Sequence, residues 1–143
     1  MKTIVCGVDG SPSARAAVRV AASVAAALGA RLVAVHVLDR LSDAGPTAER
    51  VAANVLYDEA PDAQAEARGE AGDVAERLAA VARDEGALMI VLGARSRGRS
   101  RTSLRARCAA ELSELTDVPV LIAPLQLVAA PALRQMTTFG EPR

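Results

Sequence analysis

The sequence predicts an α/β protein: one parallel β-sheet of five strands, doubly wound in a single layer, with four helices packed on it. Three observations carry that prediction. Residues 3–8 (TIVCGV), 31–38 (RLVAVHVL), 88–92 (LMIVL) and 118–123 (VPVLIA) are short aliphatic runs, apolar on both faces a strand presents, as a sheet covered by helices on both sides demands. Between them apolar residues recur at helical spacing, so strand and helix alternate along the chain. The run at 88–92 then passes into Gly93, a polar segment and a helical pattern. Strand, glycine turn, helix is the form in which α/β proteins hold phosphate at the carboxyl end of a central strand.

The elements follow in order. Residues 3–8 end in Asp9-Gly10-Ser11-Pro12, where Ser11 suits a helix N-cap and Pro12 its first turn. Ala17, Val20, Val24 and Leu28 then recur on one face until Gly29 stops the helix. Residues 31–38 return as a second strand, and the resulting βαβ unit implies parallel pairing through a right-handed crossover. Asp43, Gly45 and Pro46 mark a loop, and residues 47–59 form a short helix through Val51, Val55 and Leu56. Residues 63–68 (AQAEAR) alternate small apolar and polar side chains, which suits a third strand at a sheet edge. Asp73 with Glu76 reads as a capping box for a helix with Val74, Leu78 and Val81 on one face and Gly86 at its end. Residues 88–92, purely apolar, form a central fourth strand. Residues 103–116 follow as a helix with Leu104, Cys108, Leu112 and Leu115 along one face. Residues 118–123 form the last strand, which Pro119 places at an edge. Residues 1–124 are thus one domain, and 125–143 a tail, partly helical over 130–136 or disordered.

Composition narrows the function. The 143 residues suffice for one domain with a real core. There is no Trp, one Tyr and one Phe, and the formal net charge is zero, which argues against nucleic acid as a partner. Yet Arg95, Arg97, Arg99, Arg101, Arg105 and Arg107 crowd one short stretch without an acid among them. Three readings of that stretch stay open. Backbone amides after Gly93, the start of the following helix and the arginines cradle phosphate; or the stretch is a solvated basic loop; or, least supported, it touches RNA or DNA. Cys6 and Cys108 form no CxxC motif, so core thiols are expected, with a redox role for Cys108 requiring exposure. No apolar run approaches the roughly 20 residues of a membrane span and no leader precedes the first strand, so no membrane association and a cytoplasmic location are expected.

In such sheets ligands collect outside the carboxyl ends of the strands, where strand order reverses. Asp9 and Gly93 meet there on this reading. Asp9 either accepts hydrogen bonds from a ribose or adenine amine, or holds a metal through phosphate, or only forms the turn and caps the first helix. His36 reads as a satisfied histidine at a strand end rather than a catalytic base, and Asp39 and Asp43 as loop formers. With no metal cluster or triad in the sequence, no enzyme is expected.

These pieces resemble the universal stress protein family over residues 3–123. The resemblance rests on the opening IVCGVDGSPSARAAVRVAASVAAALGARLVAVHVLD, the strand into glycine at VLGARSRG and the close VPVLIA, in that order and spacing. It implies an adenine nucleotide alpha hydrolase-like fold with strand order 3-2-1-4-5, to which the edge character of the third and fifth strands also points. ATP-binding members carry, after the fourth strand, a glycine, two residues, a second glycine, nine residues, then Gly-Ser or Gly-Thr. Gly93 matches the first glycine here, whereas Ser96 and Ala106-Arg107 stand in place of the others, and Gly98 lies off the spacing. Serine and alanine restrict a backbone that must approach phosphate. Arg107 either fills that space or reaches phosphate as a bidentate donor.

By the same resemblance Gly7, Asp9 and Val37 line the adenosine pocket, and Leu92, Gly93, Arg95 and Arg107 complete the cofactor-binding set. The implied protein is a stress-response regulator that binds rather than catalyses, forms a homodimer through its last strand, and engages a protein partner. Its degenerate motif implies weak or lost binding of ATP or another adenine nucleotide. The alternative is an ATP-binding protein whose arginine-rich loop replaces the missing glycines; a slow nucleotide hydrolase is the weakest reading.

Overall fold

The computed structural model describes residues 2–9, 11–38, 45–94 and 104–124, with side chains placed at all of them except 45–46 and 104–107. Strand and helix alternate through the described residues: β1 (Thr3–Gly7), α1 (Pro12–Leu28), β2 (Arg31–Leu38), α2 (Gly45–Glu59), β3 (Ala65–Ala71), α3 (Val74–Glu85), β4 (Ala87–Gly93), α4 (Leu104–Leu115) and β5 (Val120–Ala123). The five strands form one parallel sheet in the order β3-β2-β1-β4-β5. The reversal of strand order between β1 and β4 creates the rim where ligands collect in such folds.

Strand alternation divides the core into two clusters. Ile4, Cys6, Leu32, Ala34 and Val91 pack with α1 and α2 on one face. Val5, Val33, Val35, Ile90 and Leu92 pack with α3 and α4 on the other. Cys6 and Cys108 therefore lie on opposite sides of the sheet, both buried and neither in a disulfide.

Helix α1 starts as the sequence indicates. Ser11 accepts a hydrogen bond from the Ala14 N–H, Pro12 occupies the first turn, and Gly29 ends the helix at φ 67°. Its buried face differs from the expected one. Ser13, Ala14, Ala16, Ala17, Val18, Ala21 and Ala25 are buried, Val20 and Val24 stand at the margin, and Leu28 is exposed. Alanines and Val18 face the sheet because the helix rides close to it, and Val20 and Val24 pack against the same core from the flank. In α4 Cys108 and Leu112 are buried as expected, but Leu115, the last residue of the helix, is exposed. Leu104 begins α4, its side chain outside the described set.

Boundaries shift by one residue in β1, β4 and α4, and by two or more in β3, α2 and β5. β3 runs from Ala65 to Ala71 rather than over 63–68, because its extent is dictated by the register with β2, from Leu32 opposite Ala65 to Leu38 opposite Ala71. Ala63 instead closes a turn on the Ala60 carbonyl. α2 begins at Gly45, so Gly45 and Pro46 belong to its first turn rather than to a loop; proline is tolerated there because first-turn N–H groups have no intrahelical partner. β5 begins at Val120 rather than 118: the Val118 N–H turns back to Thr116 Oγ1, and Pro119 contributes only its carbonyl, which accepts from the Ile90 N–H. Asp39, Asp43 and the tail from 125 lie outside the described residues.

At the amino-terminal end of the sheet Arg31, Glu66, Arg68 and Glu85 form one ion-pair network joining β2, β3 and the end of α3. The hydrogen bond from Arg31 holds the Glu66 carboxyl below its ordinary range, and the same bond raises the Arg31 guanidinium. A second group, Arg15 and Arg19 with Asp58 and Glu59, ties α1 to the end of α2. The first network lies at the opposite end of the sheet from the carboxyl-terminal rim, whereas Arg15 of the second is in the first turn of α1.

Candidate functional site

The carboxyl ends of β1, β2 and β4 open into a cavity of about 750 Å³ on the α3/α4 side of the sheet. The size is within the range of small-molecule sites. Its floor is Gly7, with Val35 and Val37 of β2 and Leu92 of β4 beside it, and Leu78 of α3 above. A Cβ at Gly7 would stand 3.0 Å from Leu92 Cδ2 and 3.1 Å from Leu78 Cδ1. The absence of a side chain there lets Leu78 and Leu92 close against the end of β1 at the edge of the cavity.

Asp9 lines the same cavity from the turn after β1. Its Oδ1 accepts the Ser11 N–H at 3.0 Å, and Ser11 in turn caps α1. The turn-forming and site-lining roles are therefore held by one carboxylate at once. Gly93 ends β4 on the same rim, since Cys6 of β1 pairs with Val91 of β4. A Cβ on Gly93 would lie 2.3 Å from the Ser13 carbonyl oxygen and 2.6 Å from its carbon. This glycine is required where the strand abuts the first turn of α1, whatever its relation to phosphate.

Of the expected site residues, the structure brings Gly7, Asp9, Val37 and Leu92 to one cavity, with Gly93 at the rim beside Leu92. Arg95 and Ser96 lie outside the described residues. Ala106 and Arg107 fall in the first turn of α4, with side chains outside the described set.

Sequence reasoning missed the far wall. Gly72, Asp73, Val74 and Ala75, where β3 passes into α3, line the cavity together with Cys108 and Glu111 of α4. The signal was present: Asp73 caps α3 by accepting the Glu76 N–H at 3.0 Å, and a helix start after a strand lies on the ligand-binding rim of such sheets. Gly72 takes φ 129°, and its N–H donates to the Leu38 carbonyl at 2.9 Å, drawing that connection over the end of β2. Cys108 is buried in this wall, with 8 % exposure, so the exposure a redox role requires is not met. Among the described residues no His/Cys/Asp/Glu group is placed to hold a metal ion, and no helix is long and apolar enough to cross a membrane.

A family model described as the universal stress protein family matches residues 1–124. The chain belongs to the universal stress protein family. Solved structures agree on the fold. A universal stress protein in complex with cAMP is similar at 24% identity with a TM-score of 0.68, over 87% of this chain and 98% of that one. One from Archaeoglobus fulgidus in complex with dAMP is 20% identical with a TM-score of 0.62, over 86% of this chain and 98% of that one. A family member from Burkholderia pseudomallei is 28% identical with a TM-score of 0.61, over 86% and 96%. No curated protein matches. Within the universal stress protein frame, the cavity over Gly7 occupies the switch point between β1 and β4.

Proposed function

We propose that this universal stress protein is a regulatory binding protein that takes the nucleoside end of an adenine nucleotide into the cavity over Gly7 and holds a triphosphate weakly. The observation that carries the reading is the cavity at the carboxyl ends of β1, β2 and β4, lined by Gly7 and the apolar Val35, Val37, Leu78 and Leu92, with the Asp9 carboxylate at the edge. Apolar walls suit a purine, and a carboxylate suits the hydroxyl and amine donors of a nucleoside. Family members crystallised with cAMP and dAMP support the same ligand class. Loss of two of the three ATP-motif elements, at Ser96 and Ala106-Arg107, supports weak retention of the phosphates.

The protein acts by binding and not by catalysis, in the cytoplasm, with a protein partner reading its state. It pairs with a second copy along β5, where Leu121 and Ile122 are exposed on an edge strand. Sedimentation at micromolar concentration is expected to give a dimer, and a clean monomer would remove the pairing.

Small molecules released from the purified protein, followed by calorimetry with AMP and ATP, test the central reading. Bound adenine nucleotide, AMP binding and ATP binding no tighter than millimolar are expected. Asp9→Ala is expected to weaken AMP about tenfold, through loss of a charged hydrogen-bond acceptor. Unchanged AMP affinity in that variant would put the site elsewhere. A second reading, in which arginines replace the missing glycines, is favoured by Arg105 and Arg107 falling in the first turn of α4, just before the cavity-lining Cys108. Micromolar ATP affinity with steep salt dependence would select it.

A further inference from the structure

His36 is held on the side of the sheet away from the cavity, yet it is bonded to the segment that carries the cavity's carboxylate. Along β2, Leu32 and Ala34 belong to the core under α1 and α2, and Val33 and Val35 to the core under α3 and α4. His36 is next in the first series and is half-buried. Its Nδ1 lies 2.8 Å from the Val8 carbonyl oxygen. A carbonyl only accepts, so Nδ1 carries the proton and donates. The Val8 N–H in turn donates to the Val35 carbonyl at 2.8 Å. β2 thus grips Val8 by both polar groups of its backbone, once with main chain and once with a side chain.

Beyond Val8 the chain leaves the sheet. The next residue is Asp9, whose carboxylate accepts from Ser11 and lines the cavity. The Val8 carbonyl belongs to the Val8–Asp9 peptide plane, and the orientation of that plane sets the direction in which Asp9 departs. We infer that His36 is a positioning residue of the cavity: from the opposite face of the sheet it fixes the Val8–Asp9 peptide, and through it the Asp9 carboxylate. The inference rests on reading the cavity as a nucleotide site. An aliphatic residue would satisfy the strand at this position as well; a ring nitrogen within reach of the departing chain is what histidine adds.

The full-length protein, His36→Ala and His36→Asn are compared by two readouts: hydrogen exchange at the Ser11 amide, which reports the bond to Asp9, and AMP affinity by calorimetry. Asparagine offers an N–H donor near the place of Nδ1. His36→Ala is expected to speed Ser11 exchange about five- to tenfold relative to the mid-strand Val5 amide, and to weaken AMP by a similar factor, as loss of one hydrogen bond would. His36→Asn is expected to restore most of both. Ser11 exchange and AMP affinity unchanged in His36→Ala would overturn the inference. So would an asparagine variant as impaired as the alanine one, with exchange accelerated throughout β1, since that pattern is general destabilisation. Absence of AMP binding by the wild type would overturn the nucleotide reading itself, and Ser11 exchange would then decide the role of His36 alone.

Discussion

Replacing Gly93 by alanine separates two roles that this glycine could play. The Cβ would stand 2.3 Å from the Ser13 carbonyl oxygen, 2.6 Å from its carbon and 3.0 Å from the Ala14 nitrogen. An ordinary carbon–oxygen contact is about 3.3 Å, so β4 and the first turn of α1 must part by about 1 Å. The obstacle is backbone and cannot rotate aside. Overpacking of this kind costs about 3 kcal/mol, the upper end for an inserted methyl in a packed core. The opposing effect is small. Gly93 does not take a positive φ, so alanine suits its backbone and would gain roughly 0.5 kcal/mol from the unfolded state. The net loss is therefore about 2.5 kcal/mol, a large share of a total of about 5–15 kcal/mol, and corresponds to a fall in Tm of about 10 °C for a domain of this size. Thermal and urea unfolding followed by circular dichroism measure it, with the urea slope unchanged. If Gly93 served only to let backbone approach phosphate, Gly93→Ala would unfold like the wild type and lose nucleotide affinity instead. Stability within about 0.5 kcal/mol of wild type would refute the packing argument.

Other perturbations probe the cavity and the opposite rim. Gly7→Val forces a branched side chain against Leu92 and Leu78, which must shift within the lining of the cavity; calorimetry should show AMP affinity reduced by more than about tenfold, and full affinity would move the ligand away from Gly7. The Glu66 carboxyl is held below its ordinary value of 4.5, first by the Arg31 hydrogen bond and also by the Arg68 and Arg31 charges, against partial burial. A group more acidic folded than unfolded stabilises above its unfolded value and loses that contribution as pH falls through its folded one. Urea midpoints between pH 3 and 7 should therefore fall less steeply on the acid side in Glu66→Gln. The change should be small because the Glu66 side chain is 44% exposed. An unchanged acid limb would dissociate Glu66 from the acid response.

The fold was legible because its punctuation is local. Ser11 and Asp73 cap helices, Gly29 and Gly86 end them in the left-handed conformation, and the aliphatic runs allow little but buried parallel strands. Where pairing rather than propensity decides, the sequence said less. β3 is built of Ala, Glu, Arg and Gly, and only the register with β2 defines its ends. The α1 face was read only in part: Ala17, Val20 and Val24 do meet the core, but Leu28 is exposed, and the alanines that a helix pressed against β4 buries carry no strong periodic signal. Of the candidate site, the near wall from β1, β2 and β4 could be read from strand ends. The far wall from Gly72 to Ala75, with Cys108 and Glu111, required the packing of α3 and α4 on one face of the sheet to bring it beside Gly7. Gly93 was legible as a motif glycine, but its contact with Ser13 is a tertiary fact that no spacing reveals.

The central claim is that an adenine nucleotide rests on Gly7 between β2, β4 and α3. Methyl-resolved NMR during titration with AMP tests it most directly. The account predicts that the methyl signals of Val35, Val37, Leu78 and Leu92 shift together and saturate, while those of Val55 and Leu56, in α2 on the other face of the sheet, stay in place. Shifts confined to the α1/α2 face, or no shifts at millimolar AMP, would contradict it.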